Sequence, residues 1–72
     1  MCELVLHHYH TVFLPVVSAL DNQTRLELSE AITEIDYLVE TLCHTELNPV
    51  EQQETEFVYW AWWEKVRSQI EK

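Results

Sequence analysis

Glycine is absent from the 72-residue sequence, and its absence excludes several kinds of functional site. Phosphate-binding loops, dinucleotide-binding fingerprints and nucleophile elbows need glycine for positive φ or for a close backbone approach. Tight two-residue β-hairpins are disfavoured for the same reason. The sequence therefore contains none of these motifs in its standard form.

Positive charge is scarce: four lysine and arginine residues stand against thirteen aspartate and glutamate residues, for a net charge of −9. Proteins that bind nucleic acids or anionic lipids need positive charge, so we expect no direct binding to either. A basic protein partner is permitted, and so is mimicry of nucleic acid by carboxylates. A solvated acidic surface that only keeps a small protein soluble is the third interpretation.

Cysteines and long apolar stretches are also scarce. Two cysteines are too few for a disulfide scaffold, which favours free thiols in a reducing compartment. The segment Met1–Leu4 has no basic residue to begin a secretory signal, and the longest apolar run, residues 57–63, is far shorter than the about 20 residues that cross a membrane. The sequence therefore predicts a cytoplasmic protein without a membrane span.

Apolar residues recur at helical spacing in three segments, which predicts a single all-α domain over residues 1–72. The first predicted helix covers about residues 2–20. Its apolar seam consists of Cys2, Val5, Tyr9, Val12, Val16 and Ala19, widened by Leu6, Phe13 and Leu20. Pro15 removes a backbone hydrogen bond on the outer face of this helix, so it predicts either a bend or a break into two shorter helices.

Capping signals mark the starts of the other two helices. Thr24, with Glu27 three residues later, predicts a second helix over about residues 25–44. The apolar seam of this helix is Leu28, Ile32, Ile35, Val39 and Leu42. Asn48 followed by Pro49 predicts a third helix over about residues 49–70. Short connections then predict an antiparallel helical hairpin plus a third helix, a small three-helix bundle.

The third predicted helix is apolar on all sides between Phe57 and Trp63. Helical geometry assigns one set of its residues to the core: Tyr59, Trp62, Trp63, Val66 and Ile70. Phe57, Trp60 and Ala61 point the other way, roughly with Val50. Because one small domain cannot cover both sides of a helix, we expect Phe57 and Trp60 to meet another chain. A homodimer is the expected arrangement; a different partner and simple exposure are the alternatives.

A second candidate surface lies on the outer face of the second predicted helix. Glu30, Glu34 and Tyr37 share that face, and an aromatic ring among carboxylates suits a basic partner. The alternative is an ordinary exposed tyrosine. If the third helix is used for self-association, this acidic face is what remains for a partner.

Two groups of side chains have the composition of metal ligands, although no metal or other cofactor is assigned to either. The first group shares a polar helix face and consists of Glu3, His7 and His10. The second follows from the hairpin register and consists of Cys2, Cys43, Glu40 and His44. For the first group, a solvated polar face is the expectation and a metal site the alternative. For the second group, we expect the two cysteines to pack in the core, and zinc binding and a disulfide are the alternatives.

No catalytic arrangement is evident, because Cys43 and His44 are neighbours and diverge by about 100° on a helix. We therefore predict a non-enzymatic interaction protein: a regulator, inhibitor or adaptor that binds a larger protein. By analogy, small inhibitors encoded by phages or mobile elements have this character. The alternatives are a nucleic-acid mimic that inhibits a nuclease or DNA-binding protein, and a small metal-binding helical protein.

Overall fold

The computed structural model describes residues 3–71, and within that range it contains helices and no β-strand. The predicted all-α class is therefore confirmed. In chain order the helices are α1 (Glu3–His8), a π-helical segment (Tyr9–Phe13), α2 (Leu14–Ala19), α3 (Asn22–Glu27), α4 (Ser29–His44) and α5 (Pro49–Ile70). No helix within residues 3–71 combines the length and the apolar character that a membrane crossing requires.

The first helical rod continues through Pro15 and does not break there. The residues that flank the π-helical segment, His8 and Leu14, keep right-handed helical backbone angles. The Leu14 N–H donates to the Tyr9 carbonyl, five residues back, which is the hydrogen bond of a π-helix. The wider turn therefore lies immediately before the proline, where an α-helical bond is lost in any case.

This wider turn corrects the predicted seam of the first helix. A π-turn inserts one extra residue, so every residue after it is rotated backwards relative to an ideal α-helix. Phe13 is completely buried, and Val17 and Leu20 pack against the core. Ala19, which was predicted to belong to the seam, is exposed.

The second predicted helix begins earlier than expected and is divided in two. Asp21, rather than Thr24, is the N-cap: its side chain accepts a hydrogen bond from the Thr24 backbone N–H at 2.8 Å. Hydrogen bonding with Thr24 also lowers the pKa of the Asp21 carboxyl. The division between α3 and α4 is confined to Leu28, whose backbone leaves the helical region while its side chain enters the core.

One apolar core joins the helices. Its buried members are Val5, Phe13, Leu28, Ala31, Ile35, Val39, Leu42, Tyr59 and Val66. Four of the five predicted seam residues of the second helix are among them, and Ile32 packs against the same cluster. The prediction for Ile70 is wrong: it is the last residue of α5, beyond its last buried residue, and is exposed.

Candidate protein-binding surface

The local sequence fixes where α5 begins. Asn48 has extended backbone angles, and its side-chain oxygen accepts the Glu51 N–H at 2.8 Å, as the sequence predicts. Pro49 follows as the first helical residue, where a missing N–H has no cost. Glu51 in the first turn complements the positive end of the helix dipole.

Rotation about the α5 axis separates aromatic neighbours into buried and exposed groups. Tyr59 is completely buried, as predicted, while Trp62 and Trp63 are half-buried. Phe57, two residues before Tyr59, is 74% exposed. Val50 lies seven residues before Phe57 on the same side and is also exposed.

Trp60 lies at the boundary between these two groups. Its ring is 4.7 Å from the His8 ring and 5.0 Å from the Tyr59 ring, measured between centroids. These contacts leave Trp60 36% exposed, about half of the fraction for Phe57. The prediction that Trp60 faces outward together with Phe57 is therefore only partly correct, because the first helix covers one side of the indole.

His8 is the residue through which α1 contacts α5. Its Nδ1 lies 2.7 Å from the Tyr59 hydroxyl oxygen, and its ring also lies 4.7 Å from the Trp63 ring. A neutral imidazole with an unprotonated Nδ1 can accept a hydrogen bond from the Tyr59 hydroxyl in this geometry. Burial, and secondarily the charge of His7, lowers the pKa of His8, which favours that neutral form.

An open groove of about 560 Å³ runs along the exposed side of α5. This groove is called the α5 groove below. It is lined by Val50, Gln53, Glu54, Phe57 and Val58. Val50, Gln53, Phe57 and Trp60 are spaced by three, four and three residues, the spacing of a seam that packs against another helix. A second groove, with Leu47 and Pro49 in its wall, adjoins it and shares Gln53.

Glu51 and Glu54, the two carboxylates on which the charge of the α5 groove depends, form no ion pair with a lysine or arginine side chain among residues 3–71. All three basic side chains of that range are engaged elsewhere. Arg25 donates to the carbonyls of Val17 and Leu20, Lys65 lies over the Trp62 ring at 5.0 Å, and Arg67 pairs with Glu64 and Glu71. Glu51 and Glu54 are both exposed, so their charges face solvent.

Comparison of the chain with protein-family models, with curated proteins and with solved structures finds no match.

The acidic residues predicted as a second surface are exposed on α4. Glu30, Glu34 and Tyr37 all lie there, and Tyr37 is 65% exposed. This set is called the α4 acidic face below. Tyr37 lines a smaller groove of about 250 Å³ with Glu40, Thr41, His44 and Thr45. Phe57 and Tyr37 thus line different grooves, and the structure does not bring the two predicted sets together.

The candidate metal ligands are not assembled within the described part of the chain. No three histidine, cysteine, aspartate or glutamate side chains form a metal-binding group among residues 3–71. Cys43 is exposed and has a free thiol, so the prediction that it packs in the core is wrong. Cys2 lies outside the described residues, and its predicted proximity to Cys43 stays a prediction.

Sequence reasoning missed two contacts that orient this surface. One is the His8–Tyr59 pair. The other joins the Tyr9 hydroxyl, as donor, to an Asp36 carboxylate oxygen at 2.6 Å. Burial and this hydrogen bond raise the pKa of Tyr9 to about 12. A signal existed for both: each polar aromatic side chain of a predicted seam needs a hydrogen-bond partner when it is buried.

Proposed function

We propose that the protein is a non-enzymatic interaction protein that acts by occupying a surface of a larger protein through the α5 groove. The observation that carries this proposal is the exposure of Phe57 in a groove that Val50 and Val58 also line. Phenylalanine is enriched at the contact surfaces of proteins relative to other surface positions. Regulator, inhibitor and adaptor are the roles that such a contact allows.

The free energy available at Phe57 is sufficient for an anchoring contact. An aromatic side chain buries about 150–250 Å², so the 74% of Phe57 that faces water corresponds to about 110–185 Å². At about 25 cal/mol per Å², burial of that area would contribute about 3–5 kcal/mol before the costs of association. A contact of this size changes affinity by orders of magnitude.

The homodimeric three-helix bundle predicted from the sequence is the competing proposal for what occupies the α5 groove. A second copy placed on the α5 groove would cover Phe57 and Val50 through a two-fold symmetric contact. A nucleic-acid mimic would instead act through the α4 acidic face, where Glu30 and Glu34 are exposed. We also propose a cytoplasmic location, which is supported by the composition of the sequence.

Copurification with matched variants tests the proposal. Tagged parent, Phe57→Ser and Leu26→Ser proteins are produced in the same cells, and copurifying proteins are compared by quantitative mass spectrometry. Leu26 is the matched control because it is 72% exposed and lies on α3, away from the α5 groove. We expect a larger protein that is retained by the Leu26 variant and lost with the Phe57 variant. Equal retention by both variants would contradict the assignment of the surface.

A further inference from the structure

We infer that the α5 groove accepts a basic amphipathic helix from another protein, and not a second copy of this chain. The inference rests on the proposed function and adds the chemistry of the partner. Its basis is the combination of a helix-spaced seam, in which three of the four residues are apolar, with carboxylates that pair with no described lysine or arginine side chain.

The seam specifies the shape of the partner. Val50, Gln53, Phe57 and Trp60 repeat at coiled-coil spacing within an eleven-residue segment, with a rise of about 15 Å from the first to the last. A partner helix would place apolar side chains at the same spacing along this length. An extended strand would find no unpaired backbone groups on the side of a helix, because those groups bond within the helix.

The charges specify the sign of the partner. Glu54 lines the groove itself, and Glu51 lies one turn before it on the same helix. Lysine or arginine side chains beside the apolar positions of the partner would meet these two carboxylates. Opposite charges at the rim speed association and discriminate against acidic partners.

A second copy supplies the wrong charges. In an antiparallel pair of α5 helices, the C-terminal half of one copy, where the charges of residues 60–71 sum to zero, would approach Glu51 and Glu54 of the other. That half carries Lys65 and Arg67, but it also carries Glu64, and Arg67 is already paired with Glu64 and Glu71. Each copy would in addition bring a net charge of −9. A basic partner meets neither obstacle.

Three synthetic helical peptides test the inference. They share leucines at coiled-coil spacing over about 18 residues and carry lysine, glutamine or glutamate at all other positions. Each is titrated into the ¹⁵N-labelled full chain, and amide chemical shifts report both affinity and position. We expect the lysine peptide to bind at least about tenfold more tightly than the glutamate peptide and to shift amides of residues 50–60.

Paired variants separate the groove from general attraction between opposite charges. Phe57→Ser is expected to weaken binding of the lysine peptide at least about tenfold, while Leu26→Ser changes it less than about twofold. Glu51→Gln with Glu54→Gln is expected to weaken binding at least about threefold and to reduce its salt dependence. The control pair on the α4 acidic face, Glu30→Gln with Glu34→Gln, is expected to have less than half of that effect.

The outcomes distinguish failure of the inference from failure of the proposed function. If the glutamine or glutamate peptide binds residues 50–60 as tightly as the lysine peptide, the partner need not be basic; the inference is overturned while the groove keeps its role. Concentration-dependent shifts of residues 50–60 without peptide would identify a second copy as the occupant, which would overturn both the inference and the binding of a larger protein through the α5 groove. A lysine peptide that shifts only amides near Tyr37 would move the basic-partner site to α4. If nothing affects residues 50–60, both proposals fail.

Discussion

Truncation of two aromatic side chains, two residues apart on α5, should have very different effects on stability. Tyr59 is completely buried and Phe57 is 74% exposed. We expect Tyr59→Ala to cost several times more free energy of unfolding than Phe57→Ala. Both residues are aromatic, lie on the same helix and are replaced by alanine. The two variants therefore differ mainly in the burial of the side chain that is removed.

The magnitudes follow from the covered areas. A fully buried aromatic side chain covers about 150–250 Å², and aromatic-to-alanine substitutions in cores cost about 3–5 kcal/mol. Tyr59→Ala should fall in that range. Phe57 has about a quarter of its surface covered, about 40–65 Å², which corresponds to about 1–1.5 kcal/mol. Tyr59→Phe keeps the ring and loses the hydrogen bond to His8, which should cost about 0.5–1.5 kcal/mol.

Urea unfolding, monitored by circular dichroism, measures these differences in the free energy of unfolding. The experiment is carried out at two protein concentrations. Tyr59→Phe keeps the comparison informative if Tyr59→Ala does not fold. A cost for Phe57→Ala as large as that for Tyr59→Ala would refute the exposed placement of Phe57. If that large cost became smaller on dilution, a second copy would be what buries the ring.

Three further results are expected. Ile35→Ala, which empties a completely buried site on α4, should lower the free energy of unfolding by about 2–5 kcal/mol in the same experiment. A variant as stable as the parent would contradict the placement of Ile35 in the core. Tyr9→Phe should cost about 0.5–1.5 kcal/mol through loss of the bond to Asp36, and Asp36→Asn with Tyr9→Phe should cost little more than either change alone. Burial lowers the pKa of His8, so the contribution of neutral His8 to stability is complete above its unfolded pKa of about 6.5 and is lost as the pH falls from there through its folded pKa. His8→Gln should therefore reduce the loss of stability between about pH 7.5 and about pH 5. An unchanged pH profile of stability would contradict this.

Helix starts were predictable only where a single capping residue was available. Asn48 precedes Pro49, which lacks an N–H and favours the first helical position, so the start of α5 follows from sequence. At the preceding helix, Asp21 and Thr24 are both good caps. The structure uses Asp21, and the Thr24 N–H becomes the donor of the cap. The choice between two suitable caps depends on how the chain leaves α2.

The core face of the first helix shows where helical periodicity stops predicting which residues pack on the core. The spacing from Val5 to Tyr9 follows an α-helix and correctly predicts packing of both residues. Beyond the π-helical segment, an assumed advance of 100° per residue accumulates an error. That error places Ala19, which is exposed, on the core face and omits Val17, which packs on the core. Pro15 signals a disturbance, but the sequence does not show whether a bend, a break or a π-turn resolves it.

The excess of aromatic residues at the candidate surface was predictable from the sequence. The boundary between its exposed and covered residues was not. Phe57 is predicted to face outward and does so, because its angle from Tyr59 is large. Trp60 has an intermediate angle, so its exposure depends on how closely α1 approaches. That approach is made by His8, whose contacts with Tyr59 and Trp60 are long-range in sequence and leave no periodic signal.

Photo-crosslinking from position 57 shows directly whether the α5 groove contacts a larger protein. A photoreactive phenylalanine analogue replaces Phe57 in one variant and Leu26 in a control, and both proteins are irradiated in the cells that produce them. We expect a crosslink from position 57 to a basic helical segment of a larger protein, and no such crosslink from position 26. Crosslinks from position 57 only to a second copy of the chain, or the same products from both positions, would contradict it.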